Sequence, residues 1–119
     1  PEIETSLVIY SQGFRDFNRF LDLVDHANDI LVEYAFEGIF QIATFHPEYC
    51  FADADYDDAG NFTNRSPYPT LHLIREDSME KVLKVYKNPE TIPENNIALA
   101  EAKGADYFKS LLRKIKNGV

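Results

Sequence analysis

The side chains with chemistry to offer concentrate between residues 46 and 76. His46 opens the segment His46-Pro47-Glu48-Tyr49-Cys50-Phe51, and His72 lies within a later apolar stretch. Imidazole titrates nearest neutrality of the ordinary side chains, so each is a candidate catalytic base. The competing readings are a histidine that caps a strand at His46 and a hydrogen-bonded core histidine at His72. His26 falls on the polar side of its helix and is read as inert. The densest polar run is Asn61-Phe62-Thr63-Asn64-Arg65-Ser66-Pro67-Tyr68-Pro69. Two prolines stiffen it, and the planar fork of Arg65 suits a carboxylate or phosphate. Asn61, Asn64, Arg65 and Ser66 are therefore candidate ligand contacts, joined by Tyr49 and by Arg75. The alternative is a loop whose polar groups bond to its own backbone.

Metal chemistry has weaker support. Asp53-x-Asp55-x-Asp57-Asp58 resembles the start of a calcium loop, but that loop needs Gly at its sixth position and Glu at its twelfth. Asp58 and Asn64 stand there instead. No metal site is assigned, Asp57 and Asp58 being the residues that would carry a divalent ion if one bound. The sequence has no Gly-x-Gly-x-x-Gly, no phosphate-binding Gly-Lys-Ser/Thr loop, no Gly-x-Ser-x-Gly elbow and no Cys or His pair at zinc spacing. Any cofactor is left unassigned. Cys50, near His46 only in sequence, reads as a packed thiol.

Charge narrows the partners. The 119 residues carry −8 at neutral pH, which repels phosphate backbones and argues against nucleic acid. Residues 1–75 hold four arginines, no lysine and thirteen acids. Arginine without lysine hints at bidentate pairing, either with a ligand or with neighbouring carboxylates. The single cysteine suits a reducing compartment, so a cytoplasmic location is expected. No apolar run approaches the ~20 residues of a membrane span, and no signal peptide opens the chain.

The elements that must position these groups follow from apolar spacing. Ile3 to Tyr10 and Ile39 to Phe45 read as strands, the second apolar on both faces and so expected to be central. Between them Asp16 to about Phe36 is an amphipathic helix, with Asp16 as N-cap and Gly38 beyond its end. Strand, helix, strand predicts a right-handed crossover with parallel strands. Thr70 to Arg75 is a third strand, and Asp77-x-x-Glu80 has the form of a capping box opening the next helix. Pro93 and Gly104 bracket another helix, and Phe108, Leu111, Leu112 and Ile115 mark a last one. The connection from Phe45 to Thr70 shows no period, yet carries Tyr49, Phe51, Tyr56, Phe62 and Tyr68. Aromatic anchors of this kind predict an ordered loop with Phe51 and Tyr68 packed down. The expected architecture is α+β: a single domain over 1–119, in two layers, with a three-stranded mixed sheet and about four helices.

Ile3-Glu4-Thr5-Ser6-Leu7, Glu37-Gly38-x-Phe40-Gln41-Ile42-Ala43, Phe45-His46-Pro47-x-Tyr49 and Thr63-Asn64-Arg65-Ser66-Pro67-Tyr68-Pro69-x-Leu71-His72-Leu73-x-Arg75-Glu76 resemble the pattern of domain of unknown function family 1415. Ile92-Pro93-Glu94-x-Asn96-Ile97 resembles that family's closing pattern. The family's paired aspartates correspond to Asp57 and Asp58, whereas Asp53 and Asp55 have no counterpart. Members usually begin with an upstream Cys-Pro-Phe-Ala segment, so the resemblance implies the carboxyl-terminal two-thirds of a domain. It also implies a sheet edge open to a second copy, hence a homo-oligomer. The functional expectation is a small soluble enzyme acting on an anionic metabolite by hydrolysis or group transfer. His46 or His72 would be the base, and Arg65 and Arg75 would hold the anion. The alternative is a non-catalytic module binding a small ligand or a protein partner.

Overall fold

The computed structural model describes residues 2–118. In chain order it forms β1 (Thr5–Ile9), α1 (Phe17–Glu33), β2 (Phe40–Phe45), β3 (Thr70–Arg75), α2 (Glu76–Leu83), α3 (Ile92–Lys103) and α4 (Ala105–Asn117). Two 3-10 turns, Ala59–Asn64 and Pro89–Thr91, lie in the connections. The class is α+β. The strand order is β1-β3-β2, and β3 is antiparallel to both neighbours.

This order corrects two expectations. β1 and β2 do run in the same direction, but β3 lies between them, so the sheet is antiparallel throughout and not mixed. β2 is an edge, and the central strand is β3. The reason lies in how the chain returns: Ile9 and Phe45, the last residues of β1 and β2, both face Thr70, the first residue of β3. A strand entering at that end runs antiparallel to both, and here it pairs with each of them. Its backbone bonds are then satisfied on both sides, and Thr70 and Leu71 are buried while all of β1 stays exposed.

Helix α1 begins where its N-cap predicts. The Asp16 carboxylate accepts from the backbone N–H groups of Asn18 and Arg19 at 2.8 and 3.2 Å, a cap worth about 1 kcal/mol. It ends earlier than the apolar spacing suggests. The Phe36 N–H reaches the Leu31 carbonyl and the Ala35 N–H the Val32 carbonyl, at 2.8 and 3.1 Å, with Ala35 at φ +61°. This is a Schellman stop with alanine where glycine is the usual occupant.

The capping box expected at Asp77-x-x-Glu80 is not used. α2 starts at Glu76, straight from β3, and no side chain caps it. The Glu76 N–H instead donates to the Ile39 carbonyl at 3.0 Å, tying the helix start to the entry of β2. Pro93 lies in the first turn of α3, and Gly104 at φ +86° separates it from α4. Among the described residues the buried apolar side chains are Phe20, Phe62, Pro69, Leu71 and Ala100. Gly60 lets the 45–70 connection approach α3: a Cβ there would stand 3.1 Å from Ile97 Cγ2.

Ala35→Gly should stabilise the fold by about 1 kcal/mol, because left-handed backbone costs a Cβ-bearing residue about that much. Urea unfolding of the two proteins measures it, and an unchanged midpoint would contradict the assigned stop.

Candidate functional site

The 46–69 connection is held from inside by its own polar groups. Asn61 is fully buried, and every part of its amide is used. Its Oδ1 accepts from the Phe51 N–H at 3.0 Å, and its Nδ2 donates to the Asp55 and Tyr56 carbonyls at 2.7 and 3.2 Å. Arg65 completes the arrangement: Nε donates to the Tyr49 carbonyl at 2.9 Å and Nη2 to the Tyr56 carbonyl at 2.7 Å. Its guanidinium carbon lies 4.5 Å from the centre of the Tyr56 ring and 4.6 Å from that of Phe62. Asn64 donates to the Thr44 carbonyl at 3.0 Å, and the Ser66 hydroxyl to the Tyr68 carbonyl at 2.6 Å. Four of the six residues expected as ligand contacts thus spend these donors on backbone. Asp58 accepts from the Gly60 N–H at 2.8 Å, and Asp57 lies 3.5 Å from Lys109 Nζ. Among the described residues no group of three or more His, Cys, Asp or Glu is placed to hold a metal.

His46 is the buried end of this network. The Glu48 N–H can only donate, so it fixes Nδ1 as an acceptor at 2.9 Å. The ring proton therefore sits on Nε2, which donates to the Phe14 carbonyl at 2.8 Å. Phe17 and Phe20 pack on the same ring, at centroid distances of 5.3 and 4.9 Å. Tyr49, another expected ligand contact, packs between Phe17 and Phe51. Phe14 itself adopts φ +56° directly after Gly13 at φ +83°. A non-glycine residue in that region is held there by its surroundings, here by the imidazole and by the edge of Tyr10 at 5.0 Å.

His72 lies elsewhere. It sits mid-strand on β3, facing Leu7 and Ala43. The Thr5 hydroxyl gives its single proton to the Leu73 carbonyl at 2.7 Å, so His72 Nε2, 2.5 Å away, is the donor in their shared bond. Three residues on, Arg75 lines one open hollow of about 220 Å³ together with His72, Glu4, Thr5 and Ser78. Its Nε donates to the Ile3 carbonyl at 2.9 Å, and its guanidinium lies over Phe40 at 5.2 Å. His72 and Arg75 thus share a hollow, whereas His46 and Arg65 lie elsewhere.

A second cavity is lined by two cations. Where β1 and β2 end, the turn after β1, the start and end of the 46–69 connection and the last turn of α4 enclose about 130 Å³. Arg15 and Lys116 line it together with Ser11, Glu48 and Tyr68. Lys116 Nζ lies 5.7 Å from the centre of the Tyr68 ring. Among the described residues, neither cation has a carboxylate within ion-pair distance. Glu48 is engaged by the Tyr56 hydroxyl, which donates to its Oε2 at 2.5 Å. That hydrogen bond, then partial burial and the charge of Glu48, raise the Tyr56 phenol above its ordinary value.

Residues 1–110 match a family described as proteins of unknown function, DUF1415. The chain belongs to this family. No curated protein and no solved structure matches it. The DUF1415 match takes in Arg15, His46 and the whole 46–69 connection, and it stops short of Lys116. Reading the sequence did not single out Arg15 and Lys116, which meet only in the folded chain. The signal available at Arg15 was its place just after the break that ends β1.

Two measurements check this geometry. Asn61→Ala leaves the Phe51 N–H without its partner, while the Asp55 and Tyr56 carbonyls keep the Asp58 N–H and Arg65, so it should cost about 1–3 kcal/mol and speed amide exchange across 50–58. Glu48→Gln removes the charge beside Tyr56, so the Tyr56 titration followed by NMR should move down toward its ordinary value. An unmoved titration would mean that Glu48 is not what raises it.

Proposed function

We propose that this domain is a non-catalytic binding module for a small anionic molecule, held by Arg15 and Lys116 in the cavity at the ends of β1 and β2. The observation that carries the reading is one enclosure, in an acidic chain, lined by two cations that among the described residues have no carboxylate within ion-pair distance. A guanidinium and an ammonium lining one cavity favour an anion with two or more oxygens. At about 130 Å³ the space is below that of drug-sized sites and suits a carboxylate or phosphate group with the rest of the ligand outside. His46 serves this site from beneath. By holding the Phe14 carbonyl and the Glu48 N–H, it sets the two walls that carry Arg15 and Glu48.

The hydrolytic reading is less well supported: His72 and Arg75 line one open hollow, but His46 and Arg65 lie elsewhere with their donors on backbone carbonyls. The lone cysteine favours a cytoplasmic setting. The net charge of −8 speaks against nucleic acid as the ligand. The exposed edge of β1 is where a second copy would add a strand.

Titration with inorganic phosphate and with malonate, read from the amide shifts of residues 10–15, 47–48 and 67–69, tests the proposal. Saturable shifts are expected, weakened about tenfold by Arg15→Gln and by raised salt, with the melting temperature unchanged. Arg65→Lys should do the reverse, lowering the melting temperature and sparing the binding. Absence of saturable shifts with either anion would end the reading.

A further inference from the structure

We infer that a second site, between α3, α4 and the Ala59–Asn64 turn, binds a small apolar monocarboxylic acid. The sequence builds the apolar body of the site. Phe108 and Leu111 recur at helical spacing on α4, and Leu99 and Ala100 sit late on α3. Gly104, at φ +86°, is the only residue between the two helices. Phe62, carried up by the 3-10 turn, stacks on Phe108 at 5.4 Å with 17° between the rings. Phe62 and Ala100 are buried and form the floor, whereas Leu99, Tyr107 and Leu111 stay largely exposed at the rim. The enclosed volume is about 310 Å³, at the small end for organic ligands.

The polar groups decide the ligand's charge. The chain has twenty acidic residues, yet none lines this cavity. Its single cation is Lys103, whose Nζ lies 4.9 Å from the centre of the Tyr107 ring. Among the described residues Lys103 has no carboxylate within ion-pair distance. Asn96 adds an amide at the rim. An apolar pocket with one ammonium matches a ligand with an apolar body and one negative charge. A phosphate or a dicarboxylate would bring more charge than one lysine neutralises. The site does not depend on the Arg15 cavity, and the two take different probes.

The test uses three probes with the intact chain: 3-phenylpropanoate, the matching alcohol 3-phenylpropan-1-ol, and acetate. The acid is expected to shift the resonances of Phe62, Ala100 and Phe108 saturably. It should bind about fivefold tighter than the alcohol, the gain an exposed ion pair can supply. Acetate should leave these residues unmoved. Lys103→Gln should bring acid and alcohol to equal affinity. Leu99→Glu, at an exposed position that spares the fold, should weaken the acid more than the alcohol. The inference is overturned if the acid causes no saturable shift there, or if acid and alcohol bind alike to the unmodified protein. Self-association that moves the same residues without a ligand would also overturn it, because the groove would then be covered by a second copy.

Discussion

A buried imidazole with both nitrogens committed is the constraint on which the end of this sheet depends. His46 receives the Glu48 N–H on one side and gives its proton to the Phe14 carbonyl on the other. Removing it would leave two partly buried backbone groups without their partner, at about 1 kcal/mol each. The same ring is the surface on which Phe17 and Phe20 of α1 pack. One side chain thereby ties together the turn after β1, the first turns of α1 and the start of the long connection. The left-handed backbone of Phe14 persists because these contacts outweigh its local cost.

The long connection illustrates a general demand of irregular chain. Each residue brings an N–H and a carbonyl that no ladder will satisfy, and those shielded from solvent need partners. Asn61 and Arg65 supply them, one as a compact bidirectional amide, the other as a planar fork between two rings. Amides, arginine and serine at close spacing therefore have two uses that look alike in sequence. They grip a ligand, or they replace the secondary structure a loop lacks. Here the second use accounts for Asn61, Asn64, Ser66 and two donors of Arg65.

What could be read from the sequence was what local spacing dictates. The three strands, the Asp16 cap, and Pro93 and Gly104 at the ends of α3 are short-range features with short-range causes. Strand order is not of this kind. Apolar residues on both faces of β2 suggested a central position, but alternation says nothing about which strand lies alongside. The capping box before α2 was locally sound, and it lost to a backbone bond reaching Ile39 from another part of the chain. Arg65 looked free because sequence displays acids as the partners of a cation, whereas carbonyls and ring faces are invisible there. Arg15 and Lys116 lie at opposite ends of the chain, so nothing short of the tertiary fold could join them.

The insertion of β3 between β1 and β2 sets the order in which this chain can assemble. Neither earlier strand has a partner until residues 70–75 exist, since all of the sheet's pairing runs through β3. α1 can form as soon as it is made, but β1 must wait across the sixty residues of chain that separate it from β3. At roughly 5–20 residues per second of synthesis, that is several seconds with Leu7, Val8 and Ile9 on an unpaired strand. Closing so long a loop also slows refolding of the complete chain. How readily the protein aggregates while it is being made is therefore governed by the lateness of its central strand, however stable the finished sheet.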